Sequence, residues 1–469
     1  MWTSERETEN FGTSVPMSIP PQTRAANSER PVERRRRRRS STLMLGGCEA
    51  EALAGSFGTP LLVIDEPALR DTMRRFKAAF EHPRWLASLT YAGKALLLRS
   101  IAAIAYDEGL IIDVCSRGEL ETALRAGVPA DHCIVHGCFK LDAEIDLAVG
   151  AAVRHVVVDH IEEIAALDAA AERRKAACSV LVRVNPAIEA VTHEHVQTGA
   201  AHSKFGFAIA DGQAMEALAA VSAAPHLTLG GLHCHLGSQI VDLVAYEHEV
   251  AALTALAHQA QHDRGISIDI VDVGGGLGVD EGDRQGPTPE AWAKALFDSF
   301  DRHWDPREKR AAKSPPHILV EPGRAIIAAA GTTLYRVGVR KRLPDGAEAL
   351  IVDGGMSDNP RPALYGANYR VSLAHRQGAE PSGTFTVFGR HCESDRMVAR
   401  VPLPEPKAGD LLAVHASGAY TYSMASNYNR FPRPAVVLVG GGRARLAARR
   451  EPLEHVLDLD VHGAEGATP

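Results

Sequence analysis

Eight short apolar runs between residues 86 and 324, each ending in a polar or glycine-rich residue, constrain this chain more than any other feature. They are 86–92 before Lys94, 110–112 before Asp113, 133–135 before His136 and 155–158 before Asp159. The others are 180–182 before Arg183, 227–232 before His233, 268–273 before Gly274 and 318–320 before Glu321. Between them lie Ala/Leu/Glu-rich stretches at helical spacing, at 95–108, 119–126, 162–177, 214–222, 241–263 and 289–304. Strands that alternate with helices form parallel βαβ units. Eight such units close into a (β/α)8 TIM barrel, whose chemistry collects at the carboxyl ends of the strands.

After Arg324 the texture changes. Short runs rich in β-formers (332–340, 349–352, 383–387, 411–414, 435–439, 444–449) lie between Gly, Pro and Asp turns, with no long helical stretch among them. This reads as an all-β domain, a sandwich or barrel. A further short strand at 61–64 leads to Asp65, a natural N-cap for a helix over 66–80. The expected organisation is a basic, disordered tail at 1–43, a barrel over 65–328, a β domain built from 44–64 and 329–462, and a tail at 463–469. The arginine run 34–39 sits in the first tail without an apolar stretch behind it, so a secretory signal is not indicated. The run suits either a nucleic-acid-binding extension or a segment upstream of a start at Met44.

Bulk properties exclude several classes. A formal charge of −7 argues against a duplex-binding protein. No apolar run approaches the ~18–20 residues that cross a bilayer. The seven cysteines contain no CxxC pair, so neither a disulfide framework nor a zinc site is indicated. Most read as small buried residues of a cytoplasmic, reducing compartment.

The strand ends carry a Lys, an Asp, His residues, an Arg, three glycines and a Glu, which is the equipment for holding a phosphorylated, aldehyde-bearing cofactor. Lys94 closes the first strand beside apolar 96–98, where desolvation is expected to leave its amine neutral and able to form a Schiff base. Taken alone, it is more simply a solvated lysine at a helix start. Gly274, Gly275 and Gly276 follow strand seven, where barrels often hold phosphate on backbone N–H groups. His233 and His235 end strand six. A metal pair is conceivable there, but a ring stacked on a flat cofactor, with Ser238 on its phosphate, is the better use. Glu321 ends strand eight, where a carboxylate can keep a heterocyclic nitrogen protonated. Cys392, between His391 and Glu393 in the β domain, reads either as a proton donor or as an inert thiol.

With these residues in place, the chain resembles the fold-type III pyridoxal-phosphate decarboxylases, and within them the branch acting on diaminopimelate. The landmarks run over about 58–454: Tyr91-Ala-Gly-Lys94, Asp113-Val-Cys-Ser-Arg-Gly-Glu119, Thr198-Gly199 with Lys204-Phe-Gly206, and His233-Cys-His-Leu-Gly-Ser-Gln239. They continue with Gly274–Gly276, Glu321-Pro-Gly-Arg324, Asp353-Gly-Gly-Met-Ser-Asp358, Arg361-Pro-Ala-Leu-Tyr365, Cys392-Glu-Ser394, Gly418-Ala-Tyr420 and Ser426-Asn-Tyr-Asn429. Each is short, but their joint order is specific. The resemblance implies a homodimer with active sites at the interface, using pyridoxal 5′-phosphate on a small diamino acid. By that likeness Lys94 captures the aldehyde, His235 stacks on the ring and Glu321 meets its nitrogen. Ser238, Gly274–Gly276, Arg324 and Tyr420 surround the phosphate, and Asp113 and Arg183 line the pocket. Arg361 and Tyr365, with Arg324 and Tyr420 beside them, grip the substrate, and Cys392 and Glu393 reach in from the partner chain as acid and as ammonium partner. One departure is that the family continues Cys-Glu-Ser with Gly and Asp, whereas this chain has Asp395 and Arg396, which is expected either to reshape the loop or to change which diamino acid fits.

The implied reaction is decarboxylation of meso-diaminopimelate to L-lysine. The rival readings are a decarboxylase of ornithine, lysine or a carrier-bound glutamyl group, a racemase on the same architecture, and a cofactor-binding protein without turnover. A racemase is expected to carry a tyrosine acid in place of Cys392-Glu393, and a non-catalytic module to lack the β domain.

Overall fold

The structure, a computed structural model, describes residues 42–188, 203–280, 284–304 and 315–461. The arginine run 34–39, the Thr198-Gly199 motif and the expected tail 463–469 lie outside these residues.

Eight parallel strands form a closed ring: Ala87–Ala92, Ile111–Val114, Cys133–Val135, His155–Val158, Cys178–Asn185, Leu227–His233, Ile270–Asp272 and His317–Val320. Closure comes from pairing of the fifth strand with the sixth and of the eighth with the first. Each expected apolar run becomes one of these strands, displaced by at most a few residues at its ends. One barrel helix had no clear sequence signal. It is Asp142–Ala151, whose first turn is closed by the Glu144 carboxylate accepting from Leu141 N at 3.0 Å.

Inside the ring, Ile111, Ile134, Val157, Leu181 and Leu319 form an apolar plug, with Ile270 against it. Alternate strand residues share a face. The side chains two positions further along therefore make the next layer up: Asp113, His136, Asp159, Arg183, Asp272 and Glu321, all buried. His233 joins them two residues after Gly231. The other strand face (Ile112, Val135, Val156, Val182, Val271, Ile318) packs outward into the large core beneath the helices. One period-two pattern thus builds both the barrel's floor and the polar layer at its mouth.

The second domain is a sheet whose long strand Gly331–Arg342 pairs with Leu61–Asp65, Glu348–Val352 and Leu411–His415. Gly383–Phe388 and Arg396–Leu403 extend one side, and Ala435–Gly440 and Arg443–Ala448 the other. Leu61–Asp65 and Ala435–Gly440 are apolar on both faces for a structural reason. Leu62, Ile64, Val436 and Leu438 join the barrel core, while Leu61, Val63, Ala435 and Val437 pack beneath helix Ala50–Phe57. Burying both faces of these strands is what fastens the domains together. Asp65 then starts helix Glu66–Ala79, its Oδ1 accepting from Ala68 N at 3.1 Å.

Among the described residues, no helix is long and apolar enough to cross a membrane.

Candidate active site

Lys94 lies in the turn Gly93–Ala95 at the end of the first strand, with Nζ 3.8 Å from Asp113 Oδ2. Its environment overturns one expectation. Burial pulls the amine toward neutrality, but Asp113, Tyr420 and Glu321 outweigh it and hold the ammonium above the usual lysine range. Apolar neighbours in sequence suggested desolvation, whereas the fold supplies carboxylates from the second and eighth strands.

Glu321 sits across the mouth, with Oε1 2.9 Å from His136 Nε2 and Oε2 3.4 Å from His233 Nε2. Burial would protonate it, but the two imidazoles hold it well below the ordinary carboxylate range. Asp272, equally buried and facing Glu321, is pushed well above that range. Two carboxyls in one pocket are thus driven apart, one charged and one protonated. His136, His233 and Glu321 are the described trio whose metal-capable atoms converge, within 4.8 Å. Each Glu321 oxygen is turned to one imidazole, and burial holds His233 neutral, its pKa pulled down to about 3.

His235 faces elsewhere. Its Nδ1 accepts from Gly275 N at 3.1 Å, which leaves the ring's proton on Nε2. Burial, with Lys94 and Arg183 nearby, keeps this imidazole neutral. The glycines have a second, structural reason to be glycine. A Cβ on Gly274 would lie 2.4 Å from Cys234 O, one on Gly275 2.1 Å from Glu321 O, and one on Gly276 2.1 Å from Gly237 O. Three loops meet backbone to backbone here. Because Gly274 N donates to Asp272 Oδ1 at 2.8 Å and Gly275 N to His235, two of the three amides expected to cradle a phosphate are already engaged. Of the residues expected around a phosphate, Gly276, Ser238, Arg324 and Tyr420 remain. Arg324 donates to Ser238 Oγ from NH2 at 3.0 Å and lies 4.5 Å from the centre of the Tyr420 ring.

Tyr420 belongs to the second domain and is delivered by a loop docked on the barrel. Its N donates to Ala95 O at 2.8 Å, and Ser423 Oγ donates to the same oxygen at 3.0 Å. Arg183 lies 3.5 Å from Asp159 Oδ2 and 4.3 Å from the centre of the Phe205 ring. Arg361 opens the short helix Arg361–Tyr365 and donates from NH1 to Tyr369 Oη at 2.8 Å. It lines, with Arg324, Gln239 and His415, a cleft of about 760 Å³ between the domains. Tyr365, one helical turn on, is half-buried.

Cys392 and Glu393 are not drawn into this cluster. Both are exposed, and their bonds stay within their own domain: Cys392 N donates to Asn429 Oδ1 at 3.2 Å, and Tyr428 Oη to Glu393 Oε1 at 2.6 Å. At the neighbouring departure from the family pattern, Asp395 is buried. It turns inward, accepting from Met356 N at 2.8 Å and lying 2.6 Å from His391 Nδ1. Gly355 and Gly389 make room, since a Cβ on either would lie within 2.1 Å of the Asp395 carboxylate.

The barrel mouth thus sets one amine among carboxylates, a neutral imidazole and an arginine–serine pair. The sequence profile of the pyridoxal binding domain of pyridoxal-dependent decarboxylases matches residues 67–328, and the chain belongs to that family. It is 40% identical over 422 residues to the diaminopimelate decarboxylase of Halalkalibacterium halodurans, covering 89% of this chain and 95% of that one. Against the diaminopimelate decarboxylase of Actinosynnema pretiosum subsp. auranticum it is 42% identical, covering 89% and 92%. The solved diaminopimelate decarboxylase of M. jannaschii in complex with L-lysine superposes with a TM-score of 0.84 at 30% identity, over 91% of this chain and 97% of that one.

Proposed function

We propose that this chain removes one carboxylate of meso-diaminopimelate to give L-lysine, with pyridoxal 5′-phosphate at the barrel mouth and two copies of the chain sharing each site. End-to-end similarity to diaminopimelate decarboxylases, one of them solved with lysine, supports the reaction. The observation that carries the site is the placement of Lys94, Glu321 and the Arg324–Ser238 pair around one mouth. The residues fit the cofactor. They offer an amine for an aldehyde, a carboxylate held ionised for a ring nitrogen and a cationic grip for a phosphate, with glycines where any Cβ would close the turn.

When bound, the cofactor supplies an electron sink for the pair left at the α-carbon as carbon dioxide departs. Lys94 would hold the cofactor's aldehyde, with Asp113 Oδ2 3.8 Å from its Nζ. Glu321 stays ionised and keeps a proton on the ring nitrogen. Neutral His235, fixed by Gly275 N, offers a flat uncharged face to the ring. Arg361, in the cleft beside Arg324, clamps a distal carboxylate, which a plain basic amino acid lacks. Cys392 returns the proton and Glu393 holds the distal ammonium, both from the partner subunit, which suits their exposure. All seven cysteines are free, in keeping with a reducing cytoplasm.

Carbon dioxide release from meso-diaminopimelate, ornithine and lysine, each with added cofactor, tests the reading. Turnover of meso-diaminopimelate well above the other two is expected. Ornithine outpacing it would overturn the substrate.

A further inference from the structure

The charged state of Glu321 is made by other side chains, the two imidazoles that face its oxygens. His136 ends the third strand and His233 the sixth, and each puts Nε2 toward a different oxygen of the same carboxylate, at 2.9 and 3.4 Å. Their rings meet edge to face, centres 5.0 Å apart at 72°, so neither can turn without displacing the other. All three side chains are buried, which removes water as a competing partner. We propose that His136 and His233 are positioning residues that act through Glu321, gripping one oxygen each so that the carboxylate stays ionised and fixed across the barrel axis, able to hold a proton on a heterocyclic nitrogen.

The surroundings show why a pair is needed. Glu321 shares its layer with Lys94 from the first strand, Asp113 from the second, Asp159 from the fourth, Arg183 from the fifth and Asp272 from the seventh. Without the imidazoles, burial and the nearby carboxylates would drive a proton onto Glu321, and a neutral carboxylic acid cannot stabilise a ring cation. With them the proton rests on Asp272 instead, in keeping with the opposed directions of the two acids. His136 also lies 3.8 Å from Asp113 Oδ1, so it ties the partner of Lys94 to the partner of the ring nitrogen. The inference rests on the proposed cofactor site, and its test separates the two.

The probe is pyridoxal phosphate carrying ¹⁵N in its ring, whose chemical shift reports whether that nitrogen is protonated. In the unaltered holoprotein the nitrogen is expected to remain protonated from pH 6 to 9. In His136→Leu and His233→Leu it should lose its proton near neutral pH, with kcat down about 10–100-fold, KM within about threefold, and the borohydride-trapped adduct at Lys94 intact. His136→Gln, which keeps a donor, should recover most of the loss. In a Glu321→Gln background, His136→Leu should add less than about twofold, because its effect has nowhere left to pass. A nitrogen still protonated in both leucine variants, or full additivity with Glu321→Gln, overturns the proposal. So does a neutral nitrogen in the unaltered protein, a result that stands even if the leucine variants do not fold. Absence of any trapped adduct in the unaltered protein would instead refute the cofactor site.

Discussion

The barrel mouth and the Cys392–Glu393 loop are both candidate chemistry, yet they are built in opposite ways. At the mouth, Asp113, His136, Arg183, His233, Asp272 and Glu321 are buried together, and burial and mutual contact drive Glu321 and Asp272 in opposite directions. At the loop, His391 and Asp395 are buried and bonded together, but the two reactive side chains between them point to solvent. The loop leaves a thiol and a carboxylate exposed above the buried His391–Asp395 pair. Under the proposed reaction, grip on the cofactor belongs to one subunit and proton return to its partner.

The comparison can be broken most sharply at Lys94. Lys94→Ala is expected to lower turnover by at least about 10³-fold, read as carbon dioxide release. Residual activity within tenfold of wild type would remove the mouth from the chemistry. Cys392→Ala should slow product formation by about 10²–10⁴-fold while leaving the cofactor's absorption spectrum unchanged. A lost spectrum would mean that the loop helps to form the mouth. Mixing these two inactive variants under subunit exchange sharpens the contrast. If each site takes Lys94 from one chain and Cys392 from another, activity should return to about a quarter of wild type by random pairing in a two-fold dimer, and no recovery would place both residues in one subunit.

Arg361→Ala should raise KM for meso-diaminopimelate and cost about 10²-fold in kcat/KM, with little change for a substrate lacking the distal carboxylate. Equal losses on both substrates would make Arg361 a structural partner of Tyr369.

The smallest effect lies behind the sixth strand. Glu249, fully buried in helix Val244–Arg264, is pushed up to about 8 by burial. The folded state then holds a proton that the unfolded chain releases near pH 4.5, so this residue's contribution is full below ~4.5 and is lost as pH rises toward ~8. Urea midpoints should fall between pH 5 and 8, and Glu249→Gln should flatten that fall by a few kcal/mol. An unchanged slope would remove Glu249 as its source.

Much of this was legible in the sequence, because a barrel strand announces both its apolar run and the residue at its end. The eight runs gave the ring, and the same period-two rule that leads from Ile111 to Asp113 leads from Ile134 to His136 and from Ile270 to Asp272. Applied to the seventh strand, it would have added the second acid, Asp272, to the strand-end histidines already named. What it could not give is sign and direction. The charge on Lys94 is decided by carboxylates 19 and 227 residues away in sequence. The inward turn of Asp395 depends on two glycines, one of them 40 residues earlier. Nor can spacing show that Asp272 and His235 hold the amides of Gly274 and Gly275.

The most direct test of the central claim is to incubate the purified chain with pyridoxal 5′-phosphate, reduce with borohydride and map the product by peptide mass spectrometry. A single phosphopyridoxyl adduct on Lys94 is the expected result. An adduct confined to other lysines, or none, would contradict the account.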